Sequence, residues 1–202
     1  MALASAKNKQ NEFVKLSVTL FSITFVVALL LAVVNHVTAP KIDSINQQKL
    51  EQAMMVVLPD AKSFENITET TLASWNGETE VLSVQRAKDE KGTVIGYCVE
   101  VSPKGYSDQI DMMVGLNAEG EITDTSIISI SDTPGIGTRV KEPEFTEQFI
   151  GKSGVLTAVK GTTTAKNEVM LISGATYSSS GFSNGVNAAL RIYEIITGEG
   201  TK

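Results

Sequence analysis

The residues best suited to chemistry form a cluster of hydroxyl and small side chains near the end of the chain. Residues 173–182 read SGATYSSSGF, and apolar side chains recur after them at three- and four-residue steps. This pattern predicts a strand that leads directly into a helix. A helix N-terminus offers unpaired N–H groups and the positive end of the helix dipole, which favour an anion such as phosphate. The hydroxyl of Thr176 would stand beside that anion; the structural alternative is that the serines only cap the helix.

Two other motif matches lack the partners that their chemistry needs. Residues 181–185, GFSNG, match the G-x-S-x-G turn that carries a hydrolase nucleophile, but the only histidine is His36, beside the apolar N-terminal segment. Ser183 therefore has no base, and we expect it inside the helix. Residues 150–154, IGKSG, resemble the end of a phosphate-binding loop, but Thr146 stands where that loop requires its first glycine.

The N-terminal segment predicts a membrane anchor. Leu16–Val34 is a run of 19 residues without a charge, and as a helix it spans roughly 30 Å, the thickness of a bilayer's hydrocarbon core. A cleavable signal peptide is the alternative, but the run is longer than such segments usually are, and Pro40 would hinder cleavage after Ala39. Three lysines and one glutamate precede the run, so the positive-inside rule places the N-terminus in the cytoplasm.

The composition of the remaining chain excludes several classes of function. The chain has 17 Lys and Arg against 23 Asp and Glu, and the first 39 residues hold only three of these cations and one of these acids, which leaves the rest at −8. That balance argues against a nucleic-acid partner. One cysteine and one histidine cannot form a disulfide or the usual metal-ligand spacing. We expect Cys98, in an apolar context, to be buried and inert.

The pattern beyond the anchor predicts an α+β domain with a mainly antiparallel sheet and flanking helices. A helix is expected from Lys41 to the stop at Pro59, followed by a polar connection to residue 79. Alternating segments predict strands, the last two joined by a tight hairpin, at 81–86, 94–101, 110–116 and 122–130. A Pro- and Gly-rich loop, a helical turn or two and two short strands then precede an amphipathic helix that ends at Gly198.

The stretch SGATYSS is similar to the flavinylation motif S/T-G-A-T-x-S/T of a known family. This is the FMN-binding domain shared by the RnfG (also called RsxG) and NqrC subunits of bacterial membrane redox complexes. Three further segments resemble the same family in the same order: VVLPDA at 56–61, GYSDQIDMMVGLNAEGEI at 105–122 and SDTPGIG at 131–137. With the N-terminal anchor, the resemblance covers nearly the whole chain, whose length is closer to RnfG.

The resemblance implies a covalent cofactor. FMN is expected as a phosphoester on Thr176, placed there by a separate flavin transferase that takes FMN from FAD. The residues implied around the phosphate, by position only, are Ser173, Gly174, Ala175, Ser178 and Ser179. The residues implied near the isoalloxazine ring are Tyr106, which would stack on it, and Thr133, Pro134, Gly135 and Gly137.

Two departures from the family pattern bear on the pocket. Ser131 and Asp132 stand where the family often has His and Glu, and Asp108 replaces a common Gly. These differences concern side-chain roles around the ring and leave the attachment motif intact.

The resemblance implies an electron-carrier subunit of a complex that couples electron transfer between ferredoxin and NAD to ion translocation. One alternative is the corresponding subunit of a sodium-pumping quinone reductase, or another extracytoplasmic flavin electron-transfer protein. An alternative of a different class is a membrane-anchored scaffold or phospho-ligand-binding module. The expected partners are other membrane subunits, the flavin transferase and membrane lipid.

The expected organisation follows from the anchor and the motifs. We expect a cytoplasmic N-terminus at 1–15, a transmembrane helix at 16–38, an outer helix and connecting segment at 39–79, and the FMN-binding domain at 80–202 on the outer face of a bacterial cell membrane.

Overall fold

The computed structural model describes residues 2–198, with side chains from Val14 onward. The chain divides into two compact units at Gln48, inside the first helix. This helix, α1, spans Ala2–Val57 and continues through Pro40. Proline has no N–H to donate, so one hydrogen bond of the helix is missing at that point.

The first unit is long and apolar enough to cross a membrane. Within Val14–Val57 the most apolar 18-residue window has a mean hydropathy of 2.6, and none of it is buried inside the protein. The hydroxyls of Thr19, Ser22 and Thr24 each donate to the carbonyl four residues earlier, at 2.8, 2.8 and 3.0 Å. These polar groups are thus satisfied within the helix, as a lipid environment requires.

The second unit begins at Lys49 and is built on a five-stranded antiparallel sheet in sequential order. Its strands are β1 Ser63–Asn66, β2 Glu80–Lys88, β3 Val94–Ser102, β4 Ile110–Asn117 and β5 Ile122–Ile130. The four longer strands and the tight β4–β5 hairpin confirm the predictions from alternation. The edge strand β1 was not predicted, because its sequence SFEN is short and mostly exposed. A short helix, α2 Thr68–Leu72, follows it.

Helices cover both faces of the sheet. The end of α1 packs Ala53, Met54 and Val57 against one face, which includes Ala87 and Cys98. The hydroxyl of Thr123 donates to the Val57 carbonyl at 2.6 Å and so satisfies a carbonyl at the end of α1.

The last helix, α4 Thr176–Thr197, packs on the opposite face and ends at Gly198 in a left-handed conformation. Its buried residues Phe182, Val186 and Leu190 join the larger core, as their helical spacing predicted.

The segment between β5 and α4 is compact rather than an extended loop. It forms a 3-10 helix at Gly137–Lys141, helix α3 at Pro143–Thr146 and a second 3-10 turn at Glu147–Phe149. The rings of Phe145, Phe149 and Phe182 meet with centroids 5.2–5.3 Å apart, which anchors this segment to α4. Two further strands, β6 Thr157–Val159 and β7 Glu168–Met170, pair in parallel as a separate two-stranded sheet.

Glycines on α4 bring the helix against the β3–β4 connection. A Cβ on Gly181 would lie 2.2 Å from the Lys104 carbonyl oxygen, and one on Gly185 would lie 2.7 Å from Pro103 Cγ. The G-x-S-x-G match is therefore explained by packing. Ser183 between the glycines is buried, and its hydroxyl donates to the Ser179 carbonyl at 2.8 Å.

Candidate functional site

The N-terminus of α4 presents unpaired backbone donors. Gly174 adopts a φ of +83°, which lets the chain turn sharply out of the preceding apolar run into the helix. The first helical N–H with a backbone acceptor is that of Ser179, which donates to Ala175 at 2.9 Å, and no side chain caps the helix. The N–H groups of Thr176, Tyr177 and Ser178 are therefore available to an anion.

The hydroxyl of Thr176 stands at the wall of an open cavity. Thr176 is half-buried, and within the part of the chain that the structure describes its hydroxyl has no hydrogen-bond partner. The cavity, called here the attachment cavity, has a volume of about 360 Å³, within the range typical of small-molecule sites. Its lining consists of Tyr106, Thr133, Ile136, Gly137, Gly174, Ala175, Thr176, Tyr177 and Ser178.

Three exposed apolar side chains line the attachment cavity. Tyr106 and Tyr177 are 63% and 73% exposed, and their ring centroids lie 6.0 Å apart at an interplanar angle of 51°. Ile136 is 51% exposed. Aromatic rings left open to solvent beside a cavity suit a flat, partly apolar ligand.

A buried carboxylate lies directly behind this lining. Asp132 is 4% exposed, and its oxygens accept hydrogen bonds from the Ser178 hydroxyl at 2.6 Å, the Ser107 N–H at 2.7 Å and the Tyr106 N–H at 3.2 Å. Burial alone would raise the pKa of Asp132, but these hydrogen bonds outweigh it and hold the pKa below its ordinary value. The carboxylate is therefore charged at neutral pH.

Two glycines make room for this carboxylate. A Cβ on Gly137 would lie 2.6 Å from Asp132 Cβ, and one on Gly105 would lie 2.8 Å from Asp132 Oδ2. Gly137, predicted for its backbone approach to the ring, is thus also required by the packing around Asp132.

The first two serines after Thr176, Ser178 and Ser179, point inward. Ser178 is buried, and its hydroxyl donates to Asp132. Ser179 is fully buried; its hydroxyl donates to the Ala175 carbonyl at 2.8 Å and accepts from the Ile172 N–H at 3.2 Å. Both hydroxyls hold the strand-to-helix turn from behind, so the helix N–H groups are the donors left for a phosphate.

Four of the residues expected at the site lie outside the lining of the attachment cavity: Ser179, which is fully buried, and Ser173, Pro134 and Gly135. Ser173 borders a separate depression of about 270 Å³, and its carbonyl accepts from Arg139 Nη1 at 3.3 Å. Pro134 and Gly135 are exposed. Gly135 has a φ of +75°, and its N–H donates to the Thr138 hydroxyl at 2.9 Å, so it forms the turn that presents Ile136 and Gly137.

Three contributing residues were not singled out from the sequence. Tyr177 occupies the variable position of the flavinylation motif, and Ile136 is the apolar residue inside the Gly-rich loop. Asp132 was noted only as a departure from the family pattern. The one signal in the sequence for a role of Asp132 is its position immediately before the turn Thr133-Pro134-Gly135. From there an acidic side chain can accept hydrogen bonds from the backbone of a neighbouring loop.

Cys98 lies in the core. Its side chain is fully buried in the sheet face that packs on α1, and burial raises the pKa of the thiol to about 12. The prediction that Cys98 is buried is confirmed.

Comparison with known proteins identifies the family. Residues 105–191 match the model of the FMN-binding domain. The chain is 36% identical over 190 residues to the G subunit of the Na⁺-translocating ferredoxin:NAD⁺ oxidoreductase complex of Acetobacterium woodii, covering 89% of this chain and 91% of that protein. It is 29% identical over 195 residues to the G subunit of the proton-translocating ferredoxin:NAD⁺ oxidoreductase complex of Clostridium ljungdahlii, covering 96% and 98%.

The fold has a solved counterpart. The NqrC protein of the Na⁺-translocating NADH-quinone reductase of Parabacteroides distasonis superposes with a TM-score of 0.53 at 17% identity, over 77% of this chain and 96% of that one. The exposed aromatic cavity, the unpaired helix terminus and these relatives agree: the chain belongs to the RnfG family of ion-translocating oxidoreductase complexes and carries its FMN-binding domain.

Proposed function

We propose that this chain carries FMN as a phosphoester on Thr176 and serves as an electron carrier of a membrane complex that couples ferredoxin:NAD electron transfer to ion translocation. The single observation that carries the proposal is the position of the Thr176 hydroxyl. It is unpartnered within the described residues, Thr176 is the first residue of α4, and it lines the same cavity as the exposed rings of Tyr106 and Tyr177.

Attachment by a flavin transferase is a phosphoryl transfer onto this hydroxyl. The Thr176 oxygen forms a bond to the FMN phosphorus of FAD, the pyrophosphate bond breaks, and AMP leaves, while the hydroxyl proton passes to the transferase. The diester that results keeps one negative charge. The N–H groups of Thr176, Tyr177 and Ser178 would hold that charge, and the dipole of α4 would stabilise it.

The remaining lining fits the ring system. Tyr106 and Tyr177 would contact the isoalloxazine faces, and Ile136 would exclude water from one side of the site. Gly174, where a Cβ would meet no atom within 4 Å, leaves the backbone open to close approach. When bound, FMN supplies the redox chemistry, while the protein fixes its position and solvent access. Thr133 also lines the cavity.

A covalent link suits a carrier that faces away from the cytoplasm, because a dissociated cofactor would be lost there. The apolar segment of α1 supports a single membrane crossing, and the lysines before it support a cytoplasmic N-terminus. The FMN-binding domain would then lie on the outer face, in contact with the other membrane subunits and with lipid. Ser173 and the loop at 134–135 lie on the surface beside the attachment cavity, where the transferase must approach.

Flavin fluorescence on a denaturing gel tests the proposal. The full chain, coexpressed with a flavin transferase, should give a fluorescent band that Thr176→Ala abolishes and Ser180→Ala retains. Ser180 is the matched control, since it carries a hydroxyl in the same serine run, four residues further along α4. A wild-type band without flavin, in cells that flavinylate another substrate of the same transferase, would reject the proposal.

A further inference from the structure

Asp132 links the three segments that form the attachment cavity. Its carboxylate accepts from Ser107 and Tyr106 of the β3–β4 connection and from Ser178 of the first turn of α4, and it directly precedes Thr133 of the third segment. Its own side chain is almost completely buried, and a Cβ on Gly137, which lines the cavity, would contact it. Asp132 thus directly contacts Tyr106, Gly137 and Ser178, three residues that line the cavity.

The negative charge of Asp132 has no cationic partner in the part of the chain that the structure describes. All three donors are neutral groups, and within the described residues no lysine or arginine forms an ion pair with Asp132. The negative charge is therefore held by hydrogen bonds alone and is not cancelled by a neighbouring cation. Because the carboxylate itself is buried, its charge is screened less than that of a carboxylate on the surface.

We propose that Asp132 is the positioning residue of the flavin site and that its fixed charge lowers the reduction potential of the bound flavin. This inference rests on the proposed attachment of FMN at Thr176. Reduction adds an electron to the isoalloxazine ring, and a nearby fixed anion disfavours every state in which that electron is not matched by a proton. The hydrogen bonds to Tyr106 and Ser178 hold the ring-contacting Tyr106 and the phosphate-binding turn in one arrangement.

Potentiometric titration of the purified, flavinylated full chain in detergent tests the proposal. Asp132→Asn preserves the shape of the side chain and an oxygen acceptor but removes the charge, and we expect a more positive midpoint potential. Ser178→Ala removes one hydrogen bond and leaves the charge, so its shift should be smaller. Asp124→Asn removes the same charge at the opposite end of β5 and should leave the wild-type potential.

The variants separate an electrostatic role from a merely structural one. An unchanged potential in Asp132→Asn overturns the proposal, and so does a Ser178→Ala shift as large as that of Asp132→Asn. A wild-type protein without covalent flavin would instead reject attachment at Thr176. The two failures are distinguishable, because the presence of covalent flavin is established before any potential is measured.

A measurement on the wild type covers the case in which Asp132→Asn does not fold. Coupling between two sites is reciprocal, so an anion that opposes reduction must itself bind a proton more readily once the flavin is reduced. Carbon-detected NMR of the aspartate carboxyl groups should show a higher pKa for Asp132 in the reduced protein than in the oxidised protein. An identical pKa in the two redox states would overturn the electrostatic role.

Discussion

The rings of Tyr106 and Tyr177 meet with their centroids 6.0 Å apart. Tyr106 lies in the β3–β4 connection, whereas Tyr177 lies in the first turn of α4. Both side chains are more than half exposed, so their contact contributes little to the core. Both residues line the attachment cavity together with Thr176, and exposed rings in that place suit a ligand that makes aromatic contacts.

Replacing these rings should change the flavin without detaching it. A tyrosine in contact with isoalloxazine quenches its fluorescence, so Tyr106→Leu and Tyr177→Leu should each brighten the native, flavinylated protein. The denatured proteins should be equally bright, because attachment depends on Thr176. Tyr97→Leu is the control, since Tyr97 of β3 packs on Tyr193 of α4 and does not line the attachment cavity. Native emission equal to wild type in both variants would place the ring outside the attachment cavity.

The glycines of α4 should be required for packing and not for catalysis. Gly181→Ala forces a Cβ toward the Lys104 carbonyl, now 2.2 Å from that position, and should lower the free energy of unfolding by about 1–3 kcal/mol. Urea denaturation of the full chain in mild detergent measures the change. Asn184→Ala, exposed on the same helix, should cost no more than about 0.5 kcal/mol. Equal stability of the two variants would refute the close approach.

Much of this architecture was readable from the sequence, and the exceptions have physical causes. Each of the strands β2, β3 and β4 is long and buries three or more residues, so its apolar and β-branched residues give a strong signal in the sequence. The edge strand β1 buries almost nothing, so it leaves no pattern. The parallel pairing of β6 with β7 depends on the route of the intervening chain, which three-residue strands do not encode.

The site likewise contains residues that the sequence predicts and residues whose role depends on the fold. Thr176 and its small neighbours were identified because a motif fixes their order along the chain. The direction of the hydroxyls of Ser178 and Ser179 depends on the helix, which turns both toward the interior. The role of Asp132 depends on Tyr106 and Ser107, 25–26 residues away, and is visible only after folding.

The acid stability of the domain should depend on two carboxyl groups in opposite directions. The hydrogen bonds that lower the pKa of Asp132 stabilise the fold above its ordinary value of 3.8, and this contribution is lost as the pH falls through the lower folded value. Burial raises the pKa of Glu100 above its ordinary 4.5, aided by repulsion from Asp111, so protonation of Glu100 favours the fold as the pH falls through that range.

Substitution should separate the two effects. Relative to neutral pH, Asp132→Asn should lose less stability on acidification than wild type, and Glu100→Gln should lose more. Thermal unfolding of the full chain followed by circular dichroism from pH 7 to pH 3 measures both. Parallel pH profiles for the three proteins would contradict the assignment.

The buried thiol makes the orientation of the chain directly testable. Cys98 is fully buried with its pKa raised to about 12, so it should not react with a membrane-impermeant maleimide in the folded protein. A cysteine at Glu90, in the exposed β2–β3 turn, should be labelled in intact cells, whereas one at Asn8 should react only after lysis. Labelling of Asn8→Cys alone in intact cells would reverse the proposed orientation.

Peptide mapping by mass spectrometry tests the central claim most directly. Trypsin releases residues 167–191, NEVMLISGATYSSSGFSNGVNAALR, which contain every hydroxyl of the attachment motif. From the full chain coexpressed with a flavin transferase, this peptide should carry the mass of FMN less one water, and fragmentation should assign that mass to Thr176. An unmodified peptide, or FMN on any of the serines instead, would contradict the account.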